Sequence, residues 1–152
     1  MDVRIGLAPA EDKPRMLRLA DAYAAEMAAH GTGDPTRYFD AYWQERGRWP
    51  YFIRHGDAIA GFVWVNTWSP SGRGTDFAIA EFYVAPEARG AHVGCDAAVA
   101  TFRTHPGQWE LSVLPTNAAA LAFWPKAIAA AGARRIERLE VGGWPVLRFR
   151  IT

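Results

Sequence analysis

The sequence predicts a mixed α/β domain, with about seven strands and about four helices in a single unit. Three observations lead there. Short runs rich in β-branched and aromatic residues recur, as at 58–66 and 76–84, and they alternate as half-buried strands do. Other stretches, as at 14–30, repeat their apolar residues every three or four positions, the period of a helix with one buried face. Gly, Pro, Asn and Asp separate the runs, giving the order strand, two helices, three strands, helix, strand, helix, two strands.

Residues 3–8 alternate and read as the first strand; Pro9 and the acidic pair Glu11-Asp12 suit the start of a helix. Over 14–30, Met16, Leu17, Leu19, Ala20, Tyr23, Ala24 and Met27 mark one buried face, and Gly31 and Gly33 end the helix. Asp34-Pro35-Thr36 caps an expected second helix running through about residue 45, with Tyr38, Tyr42 and Phe39 on its inner side. Between these helices Glu26, His30, Asp34, Tyr38 and Tyr42 form a polar and aromatic set, either an acceptor-recognising group or a solvated helix edge. Residues 51–54 and 58–66 form a hairpin about His55-Gly56-Asp57, with Ile59, Gly61, Val63 and Val65 on one face and Phe62 and Trp64 on the other. The Ser-, Gly- and Pro-rich stretch 68–75 is a loop.

In the strand over 76–84, alternation puts Phe77, Ile79, Glu81 and Tyr83 on one face and Ala78, Ala80, Phe82 and Val84 on the other. The small residues Ala97, Ala98 and Ala100 fit a helix packed closely on a sheet, which Pro106-Gly107 breaks. A strand over 109–114 follows, then a helix capped by Asn117 and running to about 131. Inside it Pro125 removes a backbone bond and is expected to kink the helix. Residues 135–141 and 144–151 close the chain as a hairpin about Gly142-Gly143.

A chain of 152 residues suffices for one domain, residues 1–152, with a sizeable core. The net charge of +1, with both signs interspersed, argues against a dedicated nucleic-acid binder and for small ligands. Cys95 stands alone, so no intramolecular disulfide forms. No apolar leader or long apolar span marks secretion or membrane insertion, and the expected compartment is the cytoplasm. Four scattered histidines and one cysteine show no metal-ligand spacing, and neither a Walker lysine nor a complete dinucleotide fingerprint follows the glycines.

Residues 81–95 read EFYVAPEARGAHVGC: a strand halted at Pro86, a turn, then a helix from about Val93. A loop that opens a helix carries backbone N–H groups with no intrahelical partner, and the helix dipole favours an anion there. Gly90 and Gly94 let those amides approach a phosphate; the alternative is an ordinary strand-to-helix connection. Glu81 lies on the strand that feeds this loop, among apolar residues. It is either a desolvated proton acceptor or a structural carboxylate paired with an arginine or hydrogen-bonded across the sheet.

The element order, together with Val84-Ala85-Pro86-Glu87-Ala88-Arg89-Gly90-Ala91-His92-Val93-Gly94, resembles the GNAT superfamily of acyl-CoA-dependent N-acetyltransferases. Arg89 and Gly94 match the two ends of its pyrophosphate loop, and His92 replaces the inner glycine. Asn117, Ala120, Phe123, Trp124 and Lys126 follow a second element of the family. Ala80-Glu81-Phe82-Tyr83-Val84 and Pro106-Gly107-Gln108-Trp109-Glu110 are similar to a bacterial branch of predicted acetyltransferases with no assigned acceptor.

The resemblance implies a central, twisted, mostly antiparallel sheet and acetyl-CoA as co-substrate. The backbone of Phe82, Tyr83 and Val84 would lie along the pantetheine. The amides of Arg89, Gly90, Ala91, His92, Val93, Gly94 and Cys95 would hold the pyrophosphate, with Asn117, Phe123 and Trp124 beside the cofactor arm. Glu81 would be the catalytic base, since acidic residues near this position serve so in some relatives. Two departures stand out. His92 either weakens the site or, when protonated, adds a phosphate contact. Trp124 replaces a tyrosine that often acts as general acid, and an indole N–H does not readily give up its proton. The implied activity is acetyl transfer to a primary amine of a small molecule or peptide, and a homodimer is compatible with it. The alternative is an acyl-CoA-binding module without catalysis, a sensor or assembly partner.

Overall fold

The computed structural model describes residues 2–152. Seven strands, β1 (Val3–Leu7), β2 (Trp49–His55), β3 (Ala58–Asn66), β4 (Phe77–Val84), β5 (Gly107–Ser112), β6 (Arg134–Val141) and β7 (Trp144–Ile151), form one sheet in the order β1-β2-β3-β4-β5-β7-β6. Every neighbouring pair is antiparallel except β4 and β5, which run parallel. With the helices α1 (Lys13–Ala28), α2 (Ala41–Gln44), α3 (Val93–Thr104) and α4 (Ala118–Ala130), this is the expected mixed architecture. Among the described residues no helix is long and apolar enough to cross a membrane.

Both faces of the sheet are covered, so its central strands are apolar on both sides. On one face α1 lays Met16, Ala20 and Tyr23 against Phe52, Phe62 and Trp64 of β2 and β3, and Tyr42 of α2 joins them. On the other, Ala97 and Ala98 let α3 sit close to the sheet, and its Phe102 meets Trp109 and Phe149 edge-on, each at 5.0 Å between ring centroids. Asn117 caps α4, its Oδ1 accepting from Ala120 N at 3.1 Å. The helix continues through Pro125 without restarting.

Three expectations are corrected. The second helix shrinks to the single turn of α2, because residues 34–40 coil through i to i+3 bonds instead. Asp34 turns its side chain onto Thr36, accepting from Thr36 N at 2.8 Å and from Thr36 Oγ1 at 2.6 Å, which competes with helix formation. Tyr38, expected inside, is exposed. The second correction is the alternation of β4. Trp64 pairs with Glu81 while Val65 pairs with Ile79, so Ala80 is an extra residue bulged out of the ladder. Phe77 and Ile79 therefore pack with Phe82 and Val84 on the α3/α4 face, whereas Glu81 and Tyr83 point to the α1 face. A second bulge at Ala60 moves Ile59 to the face of Phe62 and Trp64.

Candidate active site

The site begins where the sheet comes apart. β4 and β5 pair only at Phe77 with Trp109 and Ala78 with Glu110, and beyond Ala78 the strands diverge. The edge of β4 that faced β5 is then left without a strand. Ala85 N donates to Ala60 O on the β3 side at 2.8 Å, so the carbonyl of Val84, in the same peptide, points to this open edge. There Arg89 Nε donates to it at 2.8 Å, and the same guanidinium reaches both carboxylate oxygens of Glu26, at 3.0 and 2.7 Å.

Directly after this edge comes the loop 89–95. The N–H groups of Gly90 through Cys95 have no acceptor among the described residues, and the first bond of α3 is Asp96 N to His92 O, 3.0 Å. His92 caps the helix in the left-handed conformation, φ 60°, which explains why a glycine is at home there; histidine tolerates it better than most residues. Gly94 packs closely: a Cβ would stand 3.3 Å from Phe123 Cε1, tight enough that the ring would have to give by a few tenths of an ångström, and 3.6 Å from Val84 Cγ2. The result is a row of free amides at a helix N-terminus, on a close-packed base.

The bulge aims Glu81. Its carboxylate accepts a hydrogen bond from the hydroxyl of Tyr23 on α1, and no arginine pairs with it among the described residues. Burial pushes the carboxyl up to about 7, against the opposing pull of the Tyr23 bond. Tyr23 is raised in turn, by burial first and then by the Glu81 charge. Beside Glu81 opens a cleft of about 450 Å³, walled by Ala78, Ile79 and Ala80 of β4, Ser112 of β5, Trp64 and Asn66 of β3, Tyr38, Tyr42 and Arg48. Trp68 and Pro70, from the loop 67–76, form its rim. That loop is pinned by Glu110, fully buried on β5, which accepts from Ser69 Oγ at 3.0 Å, Ser71 N at 2.9 Å and Ser71 Oγ at 2.7 Å and pairs with Arg148. Burial alone raises the Glu110 carboxyl, but these bonds outweigh it and leave it below the ordinary range.

The sequence profile of the acetyltransferase (GNAT) family matches residues 16–129. The chain belongs to this family. No curated protein sequence matches it. Among solved structures it is similar to an acetyltransferase from Thermus thermophilus (TM-score 0.68, 17% identity, covering 98% of this chain and 96% of that one). It is similar also to AAC(6')-Ib in complex with paromomycin and acetyl-CoA (TM-score 0.70, 12% identity, 100% and 94%). A third is the Bacillus subtilis acetyltransferase in complex with CoA (TM-score 0.59, 15% identity, 99% and 100%).

Of the residues that the sequence assigned to this GNAT site, the structure gathers Phe82, Val84, Gly94 and Phe123 about the open edge, with Trp124 edge-on to Phe82 at 4.9 Å. Trp124 is a core residue; its indole nitrogen has no protein partner yet is not sealed from solvent. Tyr83 and Trp124 lie on opposite faces of the sheet, because Trp124 packs on Phe82 and the next residue along the strand, Tyr83, turns the other way toward Tyr23 and Phe62. Asn117 spends its side chain on the helix cap. Cys95 is partly buried against the α3/α4 core, without the basic partner a nucleophile needs. Among the described residues no group of three or more His, Cys, Asp or Glu side chains could hold a metal ion. Tyr23, Arg48, Asn66 and Ser112 were not singled out for the site by the sequence. They come from separate elements that only the fold assembles around Glu81; the Asn66 that ends β3 and the aromatic-basic pair Tyr42 and Arg48 were the faint local signals.

Proposed function

We propose that the protein transfers an acetyl group from acetyl-CoA to a primary amine by direct attack. The observation that carries this reading is Glu81, a carboxylate with no arginine partner among the described residues, pushed up to about 7 by burial, on the wall of a cleft that adjoins the open edge of β4. The amides of Gly90 to Cys95 suit a pyrophosphate at the start of α3, and the free edge of Phe82 to Val84 suits an extended pantetheine arm. Acetyl-CoA supplies the thioester carbonyl that the amine attacks. Glu81 takes the ammonium proton, directly or through one water, so that the nitrogen carries a free lone pair. The carbon–nitrogen bond forms as the carbon–sulfur bond breaks, the nitrogen sheds its second proton to solvent, and solvent at the open edge protonates the thiolate, since Trp124 offers no acidic hydroxyl. Arg89 competes for Val84 O, so the arm engages the edge by displacing that guanidinium.

A second reading, an acyl-CoA-binding module without catalysis, is favoured by Trp124 and by the strained His92 in the loop. Thiol release from acetyl-CoA across a panel of primary amines separates the two. Amine-dependent release that saturates supports transfer. Binding of acetyl-CoA with no release above the uncatalysed rate for any amine supports the module.

A further inference from the structure

The cleft beside Glu81 has a second charged wall. Of its lining side chains only Glu81 and Arg48 carry a formal charge, and they come from different elements. The Arg48 guanidinium is stacked at 5.1 Å from the Tyr38 ring centroid and 5.3 Å from that of Tyr42, and its side chain is only 20% exposed. Among the described residues its one carboxylate within ion-pair distance is Glu45, which meets Nε at 3.3 Å and is itself 57% exposed. A largely covered cation so weakly neutralised favours an anion brought by a ligand. Arg48, Asn66 and Trp68 also line an adjoining cavity of about 300 Å³, so the cation stands where the two spaces meet. Tyr38 and Trp68, which also line the cleft, add flat apolar surface and are 52% and 68% exposed.

Resting on the reading that Glu81 receives the amine, we propose that the acceptor is an amine bearing a carboxylate, an amino acid or amino-acid-like molecule with an apolar or aromatic body, whose carboxylate Arg48 binds. Glu81 faces the ammonium, Arg48 the carboxylate, and Tyr38 and Trp68 the apolar body that branches beside them. A planar guanidinium matches a carboxylate as a two-point fork. Within the cleft a phosphate dianion would find Arg48 alone; Arg46 lines only the adjoining cavity, which Glu45 shares. Polycations such as paromomycin are disfavoured, because an additional ammonium would be driven against Arg48.

The test titrates the CoA-loaded protein by calorimetry with phenylalanine and phenylalaninamide, with O-phosphoethanolamine and ethanolamine, and with paromomycin. Phenylalanine should bind roughly tenfold to a hundredfold more tightly than its amide, the range for a charge-assisted pair. That preference should collapse toward unity in Arg48→Gln and survive in part in Arg48→Lys, which keeps the charge without the fork. Equal binding within both pairs, a larger preference in the phosphate pair, tightest binding of paromomycin, or an unchanged preference in Arg48→Gln each overturns the assignment. Failure of the acetyl-transfer reading looks different: phenylalanine binds with the expected preference while no amine elicits thiol release.

Discussion

Glu81 owes its character to what stands next to it. The hydrogen bond it receives comes from a neutral phenol, so burial prevails and the carboxyl rises from the ordinary 4.5 to about 7. A group whose folded pKa is raised holds its proton more tightly in the folded state. Its contribution to stability is therefore greatest below about pH 4.5 and declines as pH rises to about 7, by on the order of 3 kcal/mol. Denaturant titrations of the parent and of Glu81→Gln at intervals from pH 4.5 to pH 8 should show the difference moving steadily in favour of glutamine; movement the other way would mean the carboxylate is stabilised as an anion. Tyr23→Phe removes the one bond that lowers this pKa. The rising limb of kcat/KM with pH should then shift to more alkaline values, and an acid shift would show that the phenol is not the group restraining it. Glu81 itself was legible in the sequence as a carboxylate flanked on its strand by apolar residues. Tyr23 was not, because it lies 58 residues away and no local pattern links the two.

At the scale of elements, the bulge in β4 and the close approach of β3 decide where side chains point. Alternation predicts one face for Ile79 and Glu81, and it fails here because a bulge depends on the partner strand rather than on the strand's own pattern. Gly61 is the point of closest approach: a Cβ built there would stand 1.9 Å from the Tyr83 carbonyl oxygen, a backbone atom that cannot swing away. Gly61→Ala should therefore destabilise the protein by on the order of 3 kcal/mol or more, a fall in Tm of roughly 6–12 °C or loss of folded protein. A Tm within a degree or two of the parent would mean β3 and β4 are less tightly apposed than described. The strand and helix series was readable from periodicity and punctuation, down to the closing hairpin. The second helix was over-read: Asp34 and Pro35 signal a cap, but the Asp34 to Thr36 bonds spend that signal on a turn, leaving one helical turn at Ala41–Gln44.

For the whole molecule, family membership and fold rest on the profile match over 16–129 and on the shared architecture, while the acceptor is set by side chains that distantly related chains need not share. The loop glycines and the Asn117 segment were visible as local motifs. The divergence of β4 and β5, which opens the cleft, was not, because strand order across a crossover is not written in either strand. A ligand that binds only the folded protein raises its melting temperature by mass action. Acetyl-CoA should do so through the free amides before α3, and NAD or ATP at the same concentration should do so much less; equal shifts for all three would dissociate the amide row from the pyrophosphate. The role of Glu81 as proton acceptor is read most closely from the pH profile of amine-dependent thiol release from acetyl-CoA, taken for the parent and for Glu81→Gln alongside their affinities for CoA. The parent should show a rising limb near pH 7. Glu81→Gln should lose that limb and roughly two to four decades of turnover while its CoA affinity holds. A Glu81→Gln protein with the parent's turnover and the parent's pH limb would remove Glu81 from the reaction.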